Sequence, residues 1–343
     1  MSMLRTSAPL LLALSVLPML SSCGEDVATV EKMPPSPPPT AVGTASGSGS
    51  LTQIVWGNDP NTPPEHKNVE LTAKFAYAYP SLDNGERTVW MVATDQAPDT
   101  AAIDAADDRS DALRAWCGKA HANFSALQLD SQGKAKQSLA CAGDGRLDSA
   151  HLSEDSTMSS RGKSELTVND GKRVEGTFKT GVGSMRVGDQ ESFAETAGDY
   201  HIAADLAPLT LRDRVATSGD DHATGVPGAK AAFLKYWKAA GSAKSLAEIE
   251  PWFTADRQAH TQSQMAEVAK MGWPPERMLK MFSEGHAGTP NITAAKAIGA
   301  AAVVTADAAS GDGALTCQTL MLQMQGAWKV GDERCRMQAK GKK

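Results

Sequence analysis

Apolar and polar residues alternate over much of the first half of the chain. Apolar side chains recur at every second position from Val69 to Tyr79, the period of a strand with one buried face. Residues 164–168 and 173–179 flank an Asp-Gly pair, which is a strong hairpin signal. Many short strands joined by polar turns predict an all-β domain over residues 51–216, sandwich-like or a small barrel.

Other segments of this region fit the same scheme. Further strands are predicted at residues 124–129, 136–140 and 200–206. The stretch 99–122 is typical of a short helix instead.

The period changes after a polar, glycine-containing joint at residues 217–226. Apolar residues then recur at helical spacing, namely Phe233, Tyr236, Trp237 and Ala240. Two further helical segments at 246–253 and 256–271 precede three predicted strands, at 297–306, 314–325 and 328–337. The pattern predicts an α+β domain over residues 227–340, and the whole chain is therefore expected to be α+β.

The N-terminus has the order of a signal peptide. Arg5 precedes an apolar run from Ala8 to Leu20 of about 13 residues, which is too short for a bilayer that needs roughly 20. We therefore expect residues 1–22 to be removed. Residues 23–50 are rich in Pro, Gly and Ser and predict an extended tether.

The residues Leu20-Ser21-Ser22-Cys23 resemble the bacterial lipobox. The resemblance implies a lipid on Cys23 and a protein anchored in the cell envelope. Gly24, rather than an aspartate, follows the cysteine and points to the outer membrane, facing the periplasm. The alternative is an ordinary secretory signal that contains an incidental cysteine.

Charge divides the chain in the same place as the periodicity. Residues 24–216 contain 28 acidic and 18 basic residues, a net charge of −10, whereas residues 217–343 contain 12 and 15, a net charge of +3. The acidic first part argues against a nucleic acid as partner.

Four cysteines remain once Cys23 is assigned to the lipid, and an even number in an oxidising compartment predicts disulfides. We expect two local bridges, Cys117 with Cys141 and Cys317 with Cys335. A hairpin turn centred on Gly326 would place Cys317 directly opposite Cys335, at a separation that a disulfide can span. A metal site is the alternative, but no two of these cysteines have the close spacing of zinc ligands.

The order of elements in the second domain, with residues 233–237 opening and 326–330 near the close, resembles the nuclear-transport-factor-two-like superfamily. The resemblance implies a cone in which helices and a curved sheet enclose a pocket. Residues 170–176 are also similar to a segment of two-domain envelope lipoproteins, a likeness that implies no activity. The residues expected to line the pocket are Tyr236, Trp237, Trp252, Asp307, Met321 and Trp328.

Some members of that superfamily resemble ketosteroid isomerase and use an aspartate base with an oxyanion donor. In the second domain, Asp307 is an acid that directly follows the predicted strand 297–306, and Tyr236 is the only tyrosine. An enzyme of the isomerase or dehydratase type with Asp307 as base is therefore one hypothesis. The partners that such a base needs are missing from the pattern, so we expect a non-catalytic protein.

The positions of the histidines and methionines say little about function. The seven histidines include no pair four residues apart, so neither a metal nor a cofactor is expected, and each is predicted to lie in a loop or at the surface. Seven methionines fall in the second domain. They fit either core packing or a pliant apolar pocket.

The sequence thus predicts a membrane-anchored periplasmic protein that binds an unknown protein or a small apolar ligand. An immunity-type inhibitor that blocks a toxin is one concrete version. The cone-type enzyme is the alternative, and a purely structural spacer is a third hypothesis.

Overall fold

The computed structural model describes most of the chain from Lys32 onward. Residues 32–343 form one compact unit. Residues 1–31, with the predicted signal peptide and Cys23, lie outside the described residues. The described ranges are 32–55, 65–83, 85–143, 146–151, 163–180, 185–187, 190–192, 197–270, 274–310 and 313–338.

The first half of the chain is dominated by one antiparallel sheet of ten strands. Its strands are β1 (Gly43–Val55), β2 (Glu65–Thr72), β3 (Phe75–Asp83), β4 (Glu86–Thr94), β5 (Asn123–Leu129), β6 (Ala135–Ala142), β7 (Arg146–His151), β8 (Lys163–Asn169), β9 (Arg173–Thr180) and β12 (Ala197–Asp205). Two short strands, β10 (Met185–Val187) and β11 (Gln190–Ser192), pair separately. The order is β7-β6-β5-β4-β3-β1-β12-β9-β8, with β2 beside β1.

The ten-stranded sheet curls so that strands distant in its order meet. Ser125 on β5 and Thr180 on β9 lie 3.2 Å apart, hydroxyl to hydroxyl, across the interior. Helices α1 (Thr100–Ala105) and α2 (Arg109–Ala120) pack on the outer face. The strands form a single curled sheet rather than the two sheets of the expected sandwich, and the helical segment expected within 99–122 is present as α1 and α2.

The alternating segment from Val69 to Tyr79 is two strands rather than one. The break falls at Ala73 and Lys74, whose N–H groups donate to carbonyls of other strands. After the break, β3 is buried on both faces, with Ala76 and Ala78 inside the curl and its tyrosines outside. The predicted hairpin of β8 and β9 is confirmed.

Helices and a second antiparallel sheet occupy the rest of the chain. The helices are α3 (Leu211–Ser218), α4 (Gly225–Ser242), α5 (Ala255–Lys270) and α6 (Pro275–Gly285), with two 3-10 turns at Leu246–Glu248 and Glu250–Trp252. The strands pair in chain order: β13 (Asn291–Ile298), β14 (Ala301–Ser310), β15 (Gly313–Met324) and β16 (Ala327–Gln338). The α+β class is confirmed.

Different helices pack on the two faces of the four-stranded sheet. Alternate residues of β14, Ala302, Val304 and Ala306, face a core shared with α4. Their neighbours Ala301 and Val303 pack on the opposite face against α3. Helix α3 therefore packs on the four-stranded sheet.

Two expectations from the sequence, one about a strand and one about the tether, are wrong. The predicted strand 297–306 is two strands, because Gly299 has a positive φ of 54° and turns the chain between β13 and β14. The predicted tether to residue 50 is wrong for residues 43–50, which belong to β1, and residues 44–50 pair with β12. Gly47 permits this pairing, because a Cβ there would lie 2.1 Å from the Asp199 carbonyl oxygen.

Both predicted disulfides are present, Cys117–Cys141 and Cys317–Cys335. The second bridge joins residues directly opposed in the β15–β16 hairpin, with Cα atoms 4.0 Å apart. The hairpin turn is Gln325-Gly326, both with positive φ, so the register near the turn differs by one from the predicted register. An irregularity that leaves Gly331 unpaired restores the predicted register beyond it.

Candidate functional site

A small cluster of polar side chains lies inside the apolar core between α4, α6 and the four-stranded sheet. Its members are Tyr236 on α4, His286 at the end of α6, Thr319 on β15 and Glu333 on β16. The side chains of His286 and Glu333 are each only 4% exposed. Such burial requires hydrogen-bond partners for every charged group.

His286 is held through both ring nitrogens. Its Nδ1 lies 2.8 Å from the carbonyl oxygen of Phe282, one helical turn earlier, and its Nε2 lies 2.9 Å from Glu333 Oε2. Both neighbours are acceptors, so both nitrogens are assigned as donors. This assignment makes the ring an imidazolium cation.

The surroundings favour that charged form. Burial alone would lower the pKa of His286, but the charge and hydrogen bond of Glu333 outweigh burial, and the pKa is raised above its ordinary value. The ring also contacts two aromatic rings, with its centroid 4.5 Å from that of Trp237 and 4.3 Å from that of Phe282. Aromatic faces stabilise a cation at such distances.

Glu333 uses both carboxylate oxygens. Oε1 accepts from the Thr319 hydroxyl at 2.8 Å, and Oε2 accepts from the Tyr236 hydroxyl at 2.9 Å as well as from His286. Burial alone would raise the pKa of Glu333, but His286 and these hydrogen bonds lower it below its ordinary value. Burial, followed by the charge of Glu333, raises the pKa of Tyr236 well above its ordinary value, so this hydroxyl is a neutral donor.

The chemistry open to this cluster follows from its hydrogen bonds. A general base needs a lone pair that faces its substrate, and both nitrogens of His286 donate to protein acceptors. The pair instead fastens the C-terminal end of α6 to β16. The arrangement is that of an internal ion pair that positions a helix.

The predicted pocket residues are brought together except for one. Tyr236, Trp237 and Met321 are fully buried in the same core, and Trp252 and Trp328 pack against it half-buried. Asp307 is the exception.

Asp307 lies on the other face of the sheet. Its β14 neighbours Ala306 and Ala308 both face the core, and side chains alternate along a strand. Asp307 accepts a hydrogen bond from the Thr316 hydroxyl at 2.6 Å. Its assignment to the pocket, and with it the role of base inside the pocket, is wrong for this geometry.

The indole Nε1 of Trp237 is a buried polar atom of this core that has no partner among the described residues. Its side chain is 1% exposed, and its indole Nε1 donates to no acceptor in the described part of the chain. A buried donor without an acceptor costs roughly 1–3 kcal/mol. The apolar core thus contains a fixed indole donor that an added acceptor would satisfy.

Helix α6, which forms one wall of this core, is packed less deeply than α4. Met278, Leu279 and Phe282 are half-buried, and Met281 is 55% exposed. None of the residues of α6 is fully buried. The helix depends on a thin apolar contact and on the His286 ion pair beside its last turn.

Sequence reasoning missed His286, Thr319 and Glu333. His286 lies in the turn after α6, which agrees with the expectation of a loop residue, but its side chain is buried. The aromatic spacing Phe282 to His286 is a signal for the ring stack, but helix α6 itself was not predicted. Glu333 could not be identified from alternation because the unpaired Gly331 reverses which residues of β16 face the core.

A second charged network joins the two halves of the unit. Arg212 on α3 is fully buried and pairs with Asp213 and with Asp332 on β16. Asp107, in the loop between α1 and α2, faces this network. Burial, and then the Asp332 charge, raise the pKa of Asp107 to about 6.

Among the described residues, no group of three or more His, Cys, Asp or Glu side chains is arranged to hold a metal. The helices of the described part include none that is long and apolar enough to cross a membrane. No protein-family model matches the chain, and no curated protein is significantly similar to it. The resemblances to lipoproteins and to the nuclear-transport-factor-two-like superfamily therefore stay predictions.

Proposed function

We propose that the protein is a non-catalytic envelope lipoprotein, anchored through Cys23 in the outer membrane, and that it binds a small apolar ligand with one hydrogen-bond acceptor. The binding site is the core between α4, α6 and the four-stranded sheet, understood as the pocket of a cone of the nuclear-transport-factor-two type. Helix α6 moves to admit the ligand.

The observation that carries this proposal is the indole N–H of Trp237. It is a fixed donor without an acceptor among the described residues, and the side chains around it are apolar or already paired. A neutral ligand with a carbonyl or ether oxygen would satisfy it, while the ligand's apolar body would replace the contacts of α6. A charged ligand would lose its hydration without gaining a counter-ion.

The shallow burial of α6 also supports this ligand-binding site. The apolar residues of α6, Met278, Leu279 and Phe282, are only half-buried, whereas the aromatic residues of α4 are fully buried. Displacing α6 therefore costs less free energy than displacing α4. Methionine side chains adapt readily to an added apolar group. Helix α6, which has to move to admit the ligand, is therefore easier to displace than α4.

An enzyme in the same core is the weaker candidate. Asp307 faces away from the core, and His286 has both nitrogens engaged. A protein partner, such as a toxin blocked by an immunity-type inhibitor, would bind an outer surface and would leave Trp237 unchanged.

A matched pair of probes tests the proposal on the purified full chain. 1-Acetylnaphthalene has a carbonyl acceptor, and 1-isopropenylnaphthalene has nearly the same shape without one. We expect the ketone to bind about tenfold more tightly, since one buried hydrogen bond is worth roughly 1.4 kcal/mol. Dissociation constants come from calorimetry.

Trp237→Phe removes the donor and retains an aromatic ring, so the two probes should then bind equally. Trp252→Phe is the matched control, because Trp252 packs against the same core half-buried and its loss should leave the preference for the ketone intact. Equal binding of both probes to the unaltered protein, or no binding of either, would contradict the proposal.

A further inference from the structure

The proline-rich segment Lys32–Val42 is bound to the surface of the folded unit. Pro34, Pro37 and Thr40 are half-buried, whereas the residues between them are exposed. Burial at every third residue matches the three-residue turn of a polyproline II helix that lies with one edge on the protein. We call this segment the strap.

Three hydrogen bonds attach the strap along its length. At its start, the Lys32 carbonyl accepts from the Ala300 N–H at 3.2 Å. In the middle, Arg214 Nη1 on α3 donates to the Pro35 carbonyl at 3.5 Å. At its end, the Thr40 N–H donates to Asp104 Oδ2 at 2.7 Å.

Both ends of the strap meet positions that are shaped to receive it. Asp104 is only 4% exposed at its side chain, and its other oxygen accepts from the Tyr77 hydroxyl. At the opposite end, a Cβ on Gly299 would lie 2.3 Å from the Lys32 carbonyl oxygen. The turn between β13 and β14 therefore accommodates the strap only because residue 299 is glycine.

The strap leaves the folded unit at one defined end of the four-stranded sheet. The Gln323 N–H donates to the Ala300 carbonyl at 2.8 Å, so the turn of β13–β14 lies beside the end of β15 and the β15–β16 hairpin turn. Five large apolar side chains are exposed among the described residues, and two of them, Met33 (42%) and Met324 (46%), belong to this end. We call it the exit end.

The length of chain before the strap limits how far the exit end can lie from the lipid. Lys32 follows Cys23 by nine residues, which span at most about 32 Å when fully extended. A chain free up to Gly43 would span at most about 70 Å. Attachment of the strap thus halves the maximum distance between Cys23 and the folded unit.

We infer that the strap holds the exit end of the four-stranded sheet toward the membrane, where Met33 and Met324 contact the lipid surface. This inference rests on the proposed lipid on Cys23. It assigns an orientation and a surface to the anchored protein, and it leaves the opposite end of the sheet and the curled ten-stranded sheet directed away from the bilayer.

The orientation is tested on the lipidated full chain in vesicles of phosphatidylethanolamine and phosphatidylglycerol that contain doxyl-labelled lipid. A fluorescent amino acid replaces Met324 at the exit end or Asn291 at the far end of β13, which is exposed and about 23 Å away along the strand. We expect doxyl lipid to quench the label at 324 about threefold more strongly than the label at 291. Equal quenching, or stronger quenching at 291, would overturn the inference.

Attachment of the strap is tested by trypsin, which cleaves after Lys32. The carbonyl of that bond accepts from Ala300 in the folded protein, so cleavage should be slow. Gly299→Ala should release the strap, speed cleavage about tenfold and reduce quenching at 324. Gly288→Ala is the control, because Gly288 also has a positive φ, 82°, but a Cβ there meets nothing within 4 Å.

The outcomes separate this inference from the proposed anchor. Failure of the full chain to float with vesicles would refute the anchor on Cys23 and the orientation with it. Flotation with equal quenching at the two positions would overturn the orientation alone. Equal cleavage after Lys32 in the unaltered protein and in both variants would overturn the attachment of the strap.

Discussion

His286 Nε2 lies 2.9 Å from Glu333 Oε2, and this buried ion pair joins the end of α6 to the middle of β16. The pair depends on one irregularity in the strand. Gly331 is unpaired between Val330 and Asp332, so Val330 faces the core, Asp332 faces α3, and Glu333 faces the core again. A strand without this irregularity would direct Glu333 away from His286.

Glu333→Gln should destabilise the protein by about 3 kcal/mol, because it leaves the His286 cation buried without a counter-ion. The free energy of unfolding in urea measures the loss. Asp307→Asn is the matched control, since Asp307 is an acid of the same sheet on the opposite face, and it should change stability by less than about 1 kcal/mol. Equal losses for the two variants would show that the ion pair has no special role.

The effect of Glu333→Gln should depend on pH. The pKa of His286 is raised from 6.5, so its contribution is complete below pH 6.5 and is lost as the pH rises through the raised value. The pKa of Glu333 is lowered from 4.5, so its contribution is complete above pH 4.5 and is lost as the pH falls through the lowered value.

The stability difference between the unaltered protein and Glu333→Gln should therefore be largest between pH 4.5 and 6.5. Unfolding curves at half-unit steps of pH test this window. A difference that does not vary from pH 4 to pH 9 would mean that the pair is not ionised.

Asp107→Asn should stabilise the protein at pH 8 by on the order of 1 kcal/mol. Burial and the Asp332 charge raise the pKa of Asp107 from 3.8 to about 6, so its ionisation costs stability as the pH rises through this range. At pH 4 the carboxyl is mostly protonated, and the variant should match the unaltered protein. Thermal unfolding at the two pH values makes the comparison, and a loss of stability at pH 8 would contradict the assigned environment.

The features set by local pattern were predictable. The Asp-Gly hairpin of β8 and β9 needs only a turn that favours positive φ between alternating strands, and the Cys317–Cys335 disulfide follows from the register of a hairpin that turns near Gly326. The α+β order of the second half follows from a change of period. These features depend on neighbours in sequence.

Features that depend on a single backbone irregularity were not predictable. The spacing of apolar residues does not reveal that Gly299 divides one apolar run into two strands. It does not reveal that Gly331 reverses the alternation of β16 and turns Glu333 inward. The strap was missed for a related reason, since a proline-rich composition suits a free tether and an attached segment equally well.

Cys23→Ala should abolish incorporation of an azide-tagged palmitate and leave the uncleaved precursor, because the lipobox resemblance implies that a lipid is attached to this cysteine. Metabolic labelling of cells followed by gel analysis reads both effects. Ser22→Ala is the control, since it retains a small residue before the cysteine and should leave labelling intact. Continued labelling of Cys23→Ala would refute the assignment.

The proposed ligand site is tested most directly by the indole N–H resonance of Trp237 in a ¹H–¹⁵N spectrum of the full chain. Addition of 1-acetylnaphthalene should move this resonance downfield, because the N–H gains an acceptor, and 1-isopropenylnaphthalene should move it far less. A Trp237 resonance unchanged by a saturating amount of the ketone would contradict the account.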